Sequence, residues 1–208
     1  MEYNTLYKNN PAVWGAEPNK LLQMIFEKLE LEFPFLDLGC GQGRDCLFML
    51  ENGFRVTAVD SAASGLNSIK NQILEKGLSI EKIELFEEDM QDFAIEKEKF
   101  SVINAFNSLQ FLPKKDALKI LETIKTNVKV NGYILIASFT TKDSFFEKSN
   151  PEKRCFFEEN ELKNIFHDFE IIIYEEKIVT DAGHPGSPEP HEHGVVRMIA
   201  RKPLLTDS

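Results

Sequence analysis

Short apolar runs rich in Val, Ile, Leu and Phe recur along the chain at 35–38, 55–59, 83–86, 100–106, 133–138, 169–174 and 195–200. Runs of this length, bounded by polar or glycine-containing stretches, predict seven β-strands. Segments of helical period lie between them. Leu22, Ile25, Phe26 and Leu29 recur at i, i+3, i+4 and i+7 after Pro18, and Ala117, Ile120, Leu121, Ile124 and Val128 form a similar stripe after Pro113. Gly53 and Gly77 mark the ends of two further helices, and another is predicted over 158–166.

Strands alternating with helices predict an α/β fold: one open, seven-stranded, mostly parallel sheet with helices on both faces. The last two strands are joined only by "TDAGHPGSPEPHEH", with no helical crossover, so the last strand is expected to be antiparallel. The loop over 180–194 then leaves the carboxyl end of strand six, the edge where open α/β sheets bind ligands.

Composition narrows this picture. A chain of 208 residues, 42% hydrophobic, is long enough to bury about 70% of its unfolded surface in one core. A single domain over 1–208 is expected, comprising an N-terminal lid and helix region (1–32), a core (33–140) and a C-terminal part (141–208) carrying the 180–194 loop. The formal charge of -10, with no Lys/Arg block, argues against a nucleic-acid partner. No apolar run approaches the ~20 residues of a membrane span, and the N-terminus "MEYNTLYKNN" lacks signal-peptide character. A cytoplasmic protein, monomer or homodimer, is expected. Cys40, Cys46 and Cys155 form no CxxC pair, so reduced thiols and no structural zinc are expected.

The candidate chemistry begins at "FLDLGCGQGRD". Strand one ends at Asp37 and Leu38 and runs into Gly39, Cys40, Gly41, Gln42 and Gly43 before a helix near Arg44. Glycines there permit positive φ and close backbone approach to an anion at the helix start. A tight structural turn is the alternative reading. "VTAVD" places Asp60, followed by Ser61, at the end of strand two, 23 residues beyond Asp37. A carboxylate there can accept from both hydroxyls of a ribose. A third acid, Asp89 in "FEEDM", ends strand three with Met90 beside it.

Asp37 separates the two adenosine-type cofactors. A dinucleotide would bring an anionic pyrophosphate over the loop, against the Asp37 carboxylate. S-adenosylmethionine would bring an ammonium and a sulfonium, which a carboxylate favours. The G-x-G-x-G spacing agrees, because Arg44 stands where the dinucleotide fingerprint wants its third glycine. A nicotinamide-dependent oxidoreductase would leave Asp37 and Asp89 unexplained.

Through "LDLGCGQGRD", "VTAVDSA", "EEDM", "FSVINAFNSLQFL" and "VNGYILIASF" the chain resembles the class I S-adenosylmethionine-dependent methyltransferases over nearly its whole length. The resemblance implies a Rossmann-like sheet and S-adenosylmethionine as cofactor. It implies that Asp37, Gly39, Gly41 and Gly43 hold the methionine end, Asp60 the ribose, and Asp89 with Met90 the adenine, with Cys40 and Ser61 also at the cofactor. Asn104 and Ala105 would face the methionine portion. More narrowly, the chain is similar to the small methyltransferases of the tellurite-resistance type, which share the glycine loop, a Phe-rich turn like "CFFEENEL" and an "ARK" ending. Its proline-rich loop before the last strand is longer than theirs, so a chalcogen oxyanion substrate does not carry over.

The expected function is methyl transfer to a small-molecule acceptor by in-line displacement. A non-catalytic cofactor-binding protein and a methyltransferase acting on protein are the alternatives. Two segments cover the site. Tyr7 and Trp14, in a loop-rich N-terminal stretch, form either a lid or plain packing. His184, His191 and His193 lie in the late loop, and alternation puts His191, His193, Val195 and Arg197 on one side of the last strand. That row either contacts an anionic acceptor, with His193 or His191 as base, or is an exposed loop. H-x-H with a distant His is a weak metal signal, and no metal is expected. Arg44 either pairs with Asp45 or points at an anionic substrate.

Overall fold

The structure is a computed structural model describing residues 3–29, 34–150, 152–184 and 187–204. Pro185 and Gly186 of the late loop, and the junction at 30–33 between the N-terminal region and the core, lie outside them. The elements run α1 (Tyr3–Asn9), α2 (Lys20–Ile25, tightening into a 3-10 turn Phe26–Lys28), β1 (Phe35–Leu38), α3 (Arg44–Glu51), β2 (Val56–Asp60), α4 (Ala63–Glu75) and β3 (Ile83–Glu87). They continue through β4 (Val102–Phe106), α5 (Lys114–Asn127), β5 (Tyr133–Phe139), α6 (Glu161–Ile165), β6 (Glu170–Asp181) and β7 (His191–Arg201).

One sheet of order β3-β2-β1-β4-β5-β7-β6 results, with β7 antiparallel to both neighbours and the other strands parallel. The strand order reverses between β1 and β4, so the carboxyl ends of those two strands open onto a crevice. Strand alternation sorts the core into two layers. Phe35, Val56, Ala58 and Val102 pack under α2, α3 and α4, whereas Leu36, Leu38, Ile103 and Ala105 pack under α5 and the 155–169 segment. Each buried Leu or Ile of the α5 stripe contributes about 1.5–3 kcal/mol, and that stripe holds the second layer in place.

The seven strands, the antiparallel last strand and the helices on both faces agree with the expectation from sequence. Three elements differ. Tyr7 sits on a helix, α1, rather than in a loop-rich stretch, because Asn4 and its neighbours dock on α4 through Ser64. The helix expected over 158–166 shrinks to α6, since Asn160 at φ 61° breaks the chain just before it and Glu158 N–H is capped by Glu161. The β6–β7 hairpin is far longer than its apolar runs: Lys177↔Val195 pairing continues through Val179↔His193 to Asp181↔His191. Both ends of the supposed 180–194 loop, through Asp181 and from His191, are therefore strand. Polar side chains at its tip hid the pairing, which backbone hydrogen bonds supply.

Candidate active site

The strand ends at the crevice open into a cavity of about 670 Å³, within the ~300–1,000 Å³ usual for small-molecule sites. Its floor is the glycine loop. Gly39, Gly41 and Gly43 all have positive φ. A Cβ at Gly39 would overlap Ser108 and press on Met90, and one at Gly41 would come within 2.9 Å of the Tyr7 hydroxyl, so both glycines keep the cavity open. Gly43 serves packing instead, since a Cβ there would overlap Ile69 of α4.

Asp60 shapes the loop directly. Its two oxygens accept from Gly41 N–H at 2.7 Å and Ala62 N–H at 2.8 Å. Burial raises its pKa and these two bonds oppose the rise. Ser61, Asp89 and Met90 line the same wall, Asp89 being fixed by Gln91 N–H at 3.0 Å.

Asp37 is 3% exposed and borders the cavity. It belongs to a buried chain of polar side chains. Asn104 Nδ2 donates to Asp37 at 2.8 Å and to Asp45 at 3.1 Å, Cys46 Sγ donates to Asp37 at 3.1 Å, and Asp45 accepts from the main chain and side chain of Asn19 at 2.7 Å. Burial, reinforced by the nearby charge of Asp45, lifts the Asp37 pKa to about 7 against the pull of Cys46 and Asn104. For the Cys40 thiol, a hydrogen bond with Cys46 pulls downward, but burial and the charges of Asp60 and Asp37 outweigh it and set the pKa at about 11. A thiol so placed is a small buried residue with no nucleophilic role.

Asn104 and Ala105 lie off the cavity wall. Asn104 shares the face of the sheet that carries Asp37, aligned with it in register, and points under α2 and α3; Ala105 is fully buried on the opposite face. At the end of β4 the wall is instead formed by Phe106, Asn107 and Ser108.

The N-terminal segment forms the roof. Gln42 ties it down, accepting from Val13 N–H at 2.8 Å and donating to the Asn10 carbonyl at 2.8 Å. Trp14 Nε1 donates to the Tyr7 hydroxyl at 3.4 Å, and both rings line the cavity with Tyr3. Burial pushes the Tyr3 phenol up to about 12, so it stays neutral. Arg44 also holds the roof: it donates to the Trp14 carbonyl at 3.0 Å, lies 3.8 Å from Asp45 and stacks over Phe106.

The opposite wall belongs to the hairpin. His193, Val195 and Arg197 line the cavity, as do Asp181 and His184. His193 stacks on Phe139 with ring centroids 4.5 Å apart, and its Nδ1 lies 2.8 Å from the carboxylate of Asp143. Asp143 is held by Phe145 N–H at 2.8 Å. Gly194 makes this pair possible, because a Cβ there would stand 2.6 Å from Asp143 N and from Thr140 Oγ1. His191 lies beside His193, and Arg197 pairs with Glu175 at 3.6 Å. Sequence reading missed Asp143, Asp181, Gly194 and Ser108. Only the carboxylate types of the first two gave any signal, and acids are too common to single out.

A family model described as tellurite resistance protein TehB matches residues 31–183. The chain belongs to the TehB family. A TehB from Haemophilus influenzae, named a probable S-adenosyl-L-methionine-dependent methyltransferase, is 28% identical over 144 residues, 69% of this chain and 48% of its own. A protein of Eikenella corrodens named hemagglutinin 1 is 28% identical over 170 residues, covering 81% of this chain and 54% of that one. The chain spans about half the length of these curated relatives. The crystal structure of TehB from Haemophilus influenzae superposes with a TM-score of 0.74 at 23% identity, covering 97% of this chain and 66% of the other. The fold is therefore that of the class I methyltransferases, and the resemblance read from "LDLGCGQGRD" and the strand-end acids holds. Among the described residues no TehB-family helix here is long and apolar enough to cross a membrane.

Proposed function

We propose that this TehB-family chain transfers the methyl group of S-adenosylmethionine to a small acceptor bound at the hairpin side of the cavity. The observation that carries the reading is the convergence of the glycine loop, Asp37, Asp60 and Asp89 on one wall of a cavity whose other wall is His193 and Arg197. In this reading Asp60 takes the ribose, Asp89 and Met90 the adenine, and the Gly39–Gly43 backbone the methionine end. Ser108 supports the fit, since its hydroxyl is the buried side-chain polar atom left without a partner among the described residues, and it lines this cavity. A cationic cofactor also favours the charged form of Asp37, which burial otherwise disfavours.

Held there, S-adenosylmethionine would supply a methyl group to a lone pair of the acceptor, its sulfur keeping the electron pair of the broken bond. The donor is already activated, so holding acceptor and methyl in line is the main task, and such orientation contributes ~7–11 kcal/mol. Any proton the acceptor must lose falls to the histidine side. A roof of Tyr3, Tyr7 and Trp14 leaves room for a small molecule and favours it over a protein substrate.

Titration calorimetry with S-adenosylmethionine, S-adenosylhomocysteine and NAD, followed by an acceptor screen of thiols, amines, phenols and chalcogen oxyanions, tests the reading. Binding of the first two without NAD, and release of S-adenosylhomocysteine with at least one acceptor, are expected. Binding of NAD alone would overturn the cofactor assignment. Binding without turnover across the screen would leave a cofactor-binding protein.

A further inference from the structure

Beyond the cavity's cofactor side, the hairpin brings Asp181 to the three histidines whose spacing gave only a weak metal signal. Asp181 ends β6, His184 follows in the turn, and His191 and His193 open β7; one ligand atom from each lies within 4.8 Å of all the others. The register explains the convergence, because Asp181 pairs with His191 across the hairpin and the His184–Ser187 bridge folds the tip back.

The hydrogen bonds of the two strand histidines fix where their lone pairs point. His191 Nδ1 lies 2.8 Å from the Glu189 carbonyl, and His193 Nδ1 lies 2.8 Å from the Asp143 carboxylate. A carbonyl and a carboxylate only accept, so each Nδ1 carries a proton, and the nitrogen left to coordinate is Nε2. These two Nε2 atoms face each other at 2.9 Å. Two lone pairs at that separation repel unless a cation stands between or beside them. A shared proton would engage two rings only, whereas a metal ion also uses His184 and Asp181. Ligand atoms around one ion with bonds of about 2.1 Å lie roughly 3–4.2 Å apart, so four atoms within 4.8 Å of one another need only a small inward adjustment to share an ion. The outer partners have the form metal sites use: a buried carboxylate orients His193, a main-chain carbonyl orients His191, and Phe139, Phe145 and Trp14 enclose the rings.

We propose that Asp181, His184, His191 and His193 bind one divalent transition-metal ion on the acceptor side of the cavity. Three imidazoles and one carboxylate suit zinc, cobalt or nickel and disfavour magnesium and calcium. Three of these residues line the cavity, so the ion faces it and holds the acceptor through an ionisable thiol or hydroxyl as the conjugate base, the proton leaving to solvent because the metal-bound histidines have no lone pair left to take it. This role, though not the metal site itself, rests on the methyl-transfer reading.

The untagged full chain, stripped with chelator, is titrated with cobalt(II) while visible absorption is followed, then challenged with zinc. Uptake of one cobalt per chain, displacement by zinc, and at least about tenfold weaker binding in His184→Ala and Asp181→Asn are expected, with His167→Ala unchanged. S-adenosylhomocysteine affinity in each variant reports whether it has folded. Absence of stoichiometric uptake, or uptake indifferent to both variants, would overturn the site and leave a proton-sharing histidine pair. Addition of a small thiol to the cobalt form should bring a sulfur-to-metal charge-transfer band; no band would overturn the acceptor role. Cobalt uptake without S-adenosylhomocysteine binding would sink the methyl-transfer reading while sparing the metal site.

Discussion

The two walls of the cavity are built by different means. The glycine-loop wall comes from three consecutive strand ends, and its geometry is set by main-chain groups: the N–H of Gly41 and Ala62 on Asp60, and the bare backbone of Gly39 facing Ser108. The hairpin wall depends on side chains far apart in sequence, such as His193 and Asp143, brought together by β7 lying between β5 and β6. A loop whose glycines leave no room for a Cβ tolerates few changes, while a wall of separately positioned side chains can be altered residue by residue. Loss of function should therefore be abrupt on the first wall and graded on the second.

The largest effect expected is Gly43→Ala. It adds a left-handed strain and a clash with Ile69, which together should lower stability by roughly 2–4 kcal/mol in urea unfolding. An unchanged midpoint would show that the loop is less constrained than its packing implies. Next is Asp60→Ala, which removes charge-assisted hydrogen bonds of about 1.5–3 kcal/mol and should weaken S-adenosylhomocysteine binding by ~10–100-fold in calorimetry. On the second wall, Asp143→Asn should cut turnover by about 10–100-fold while leaving cofactor affinity within a factor of two. Equal losses in both quantities would erase the distinction between the walls.

A smaller effect concerns pH. With its pKa lifted to about 7, Asp37 holds a proton in the folded protein that the unfolded chain has already lost above about 4. The folded state then binds more protons across that window, so ligand-free stability should fall as pH rises from about 4 to 7. Asp37→Asn should flatten this slope, and binding of cationic S-adenosylmethionine near pH 6 should release protons, measurable by calorimetry in buffers of different ionisation enthalpy. The smallest effect is Arg44→Ala, which loses one half-exposed hydrogen bond to the roof and should change cofactor affinity by no more than about 1 kcal/mol.

The same contrast governs what the sequence could reveal. Apolar runs announced all seven strands, and the order Asp37, Asp60, Asp89 was legible because each acid stands at or just past the end of its own strand. Asn104 was legible as a strand-end residue, but its link to Asp37 was not. Alternation from Val102 and Ile103 puts its amide beside Asp37 and beneath α2, and only the sheet register shows this. Asp143, Asp181 and Ser108 carried no pattern at all, since their meaning depends on neighbours 50 or more residues distant, a turn that folds back, or the lack of a partner. The N-terminal helix was hidden for a related reason: its seven residues bury no side chain fully and are held by polar contacts to α4 and the glycine loop.

Gly194 has a consequence for descent. It has no functional group, yet the turn carrying Thr140 and Asp143 rests against its bare Cα. One codon change there would push Asp143 off His193 without touching the nucleotide-like half of the molecule. A lineage could thereby pass in a single step from an enzyme to a sensor that still recognises its cofactor, with every residue a motif search inspects left intact.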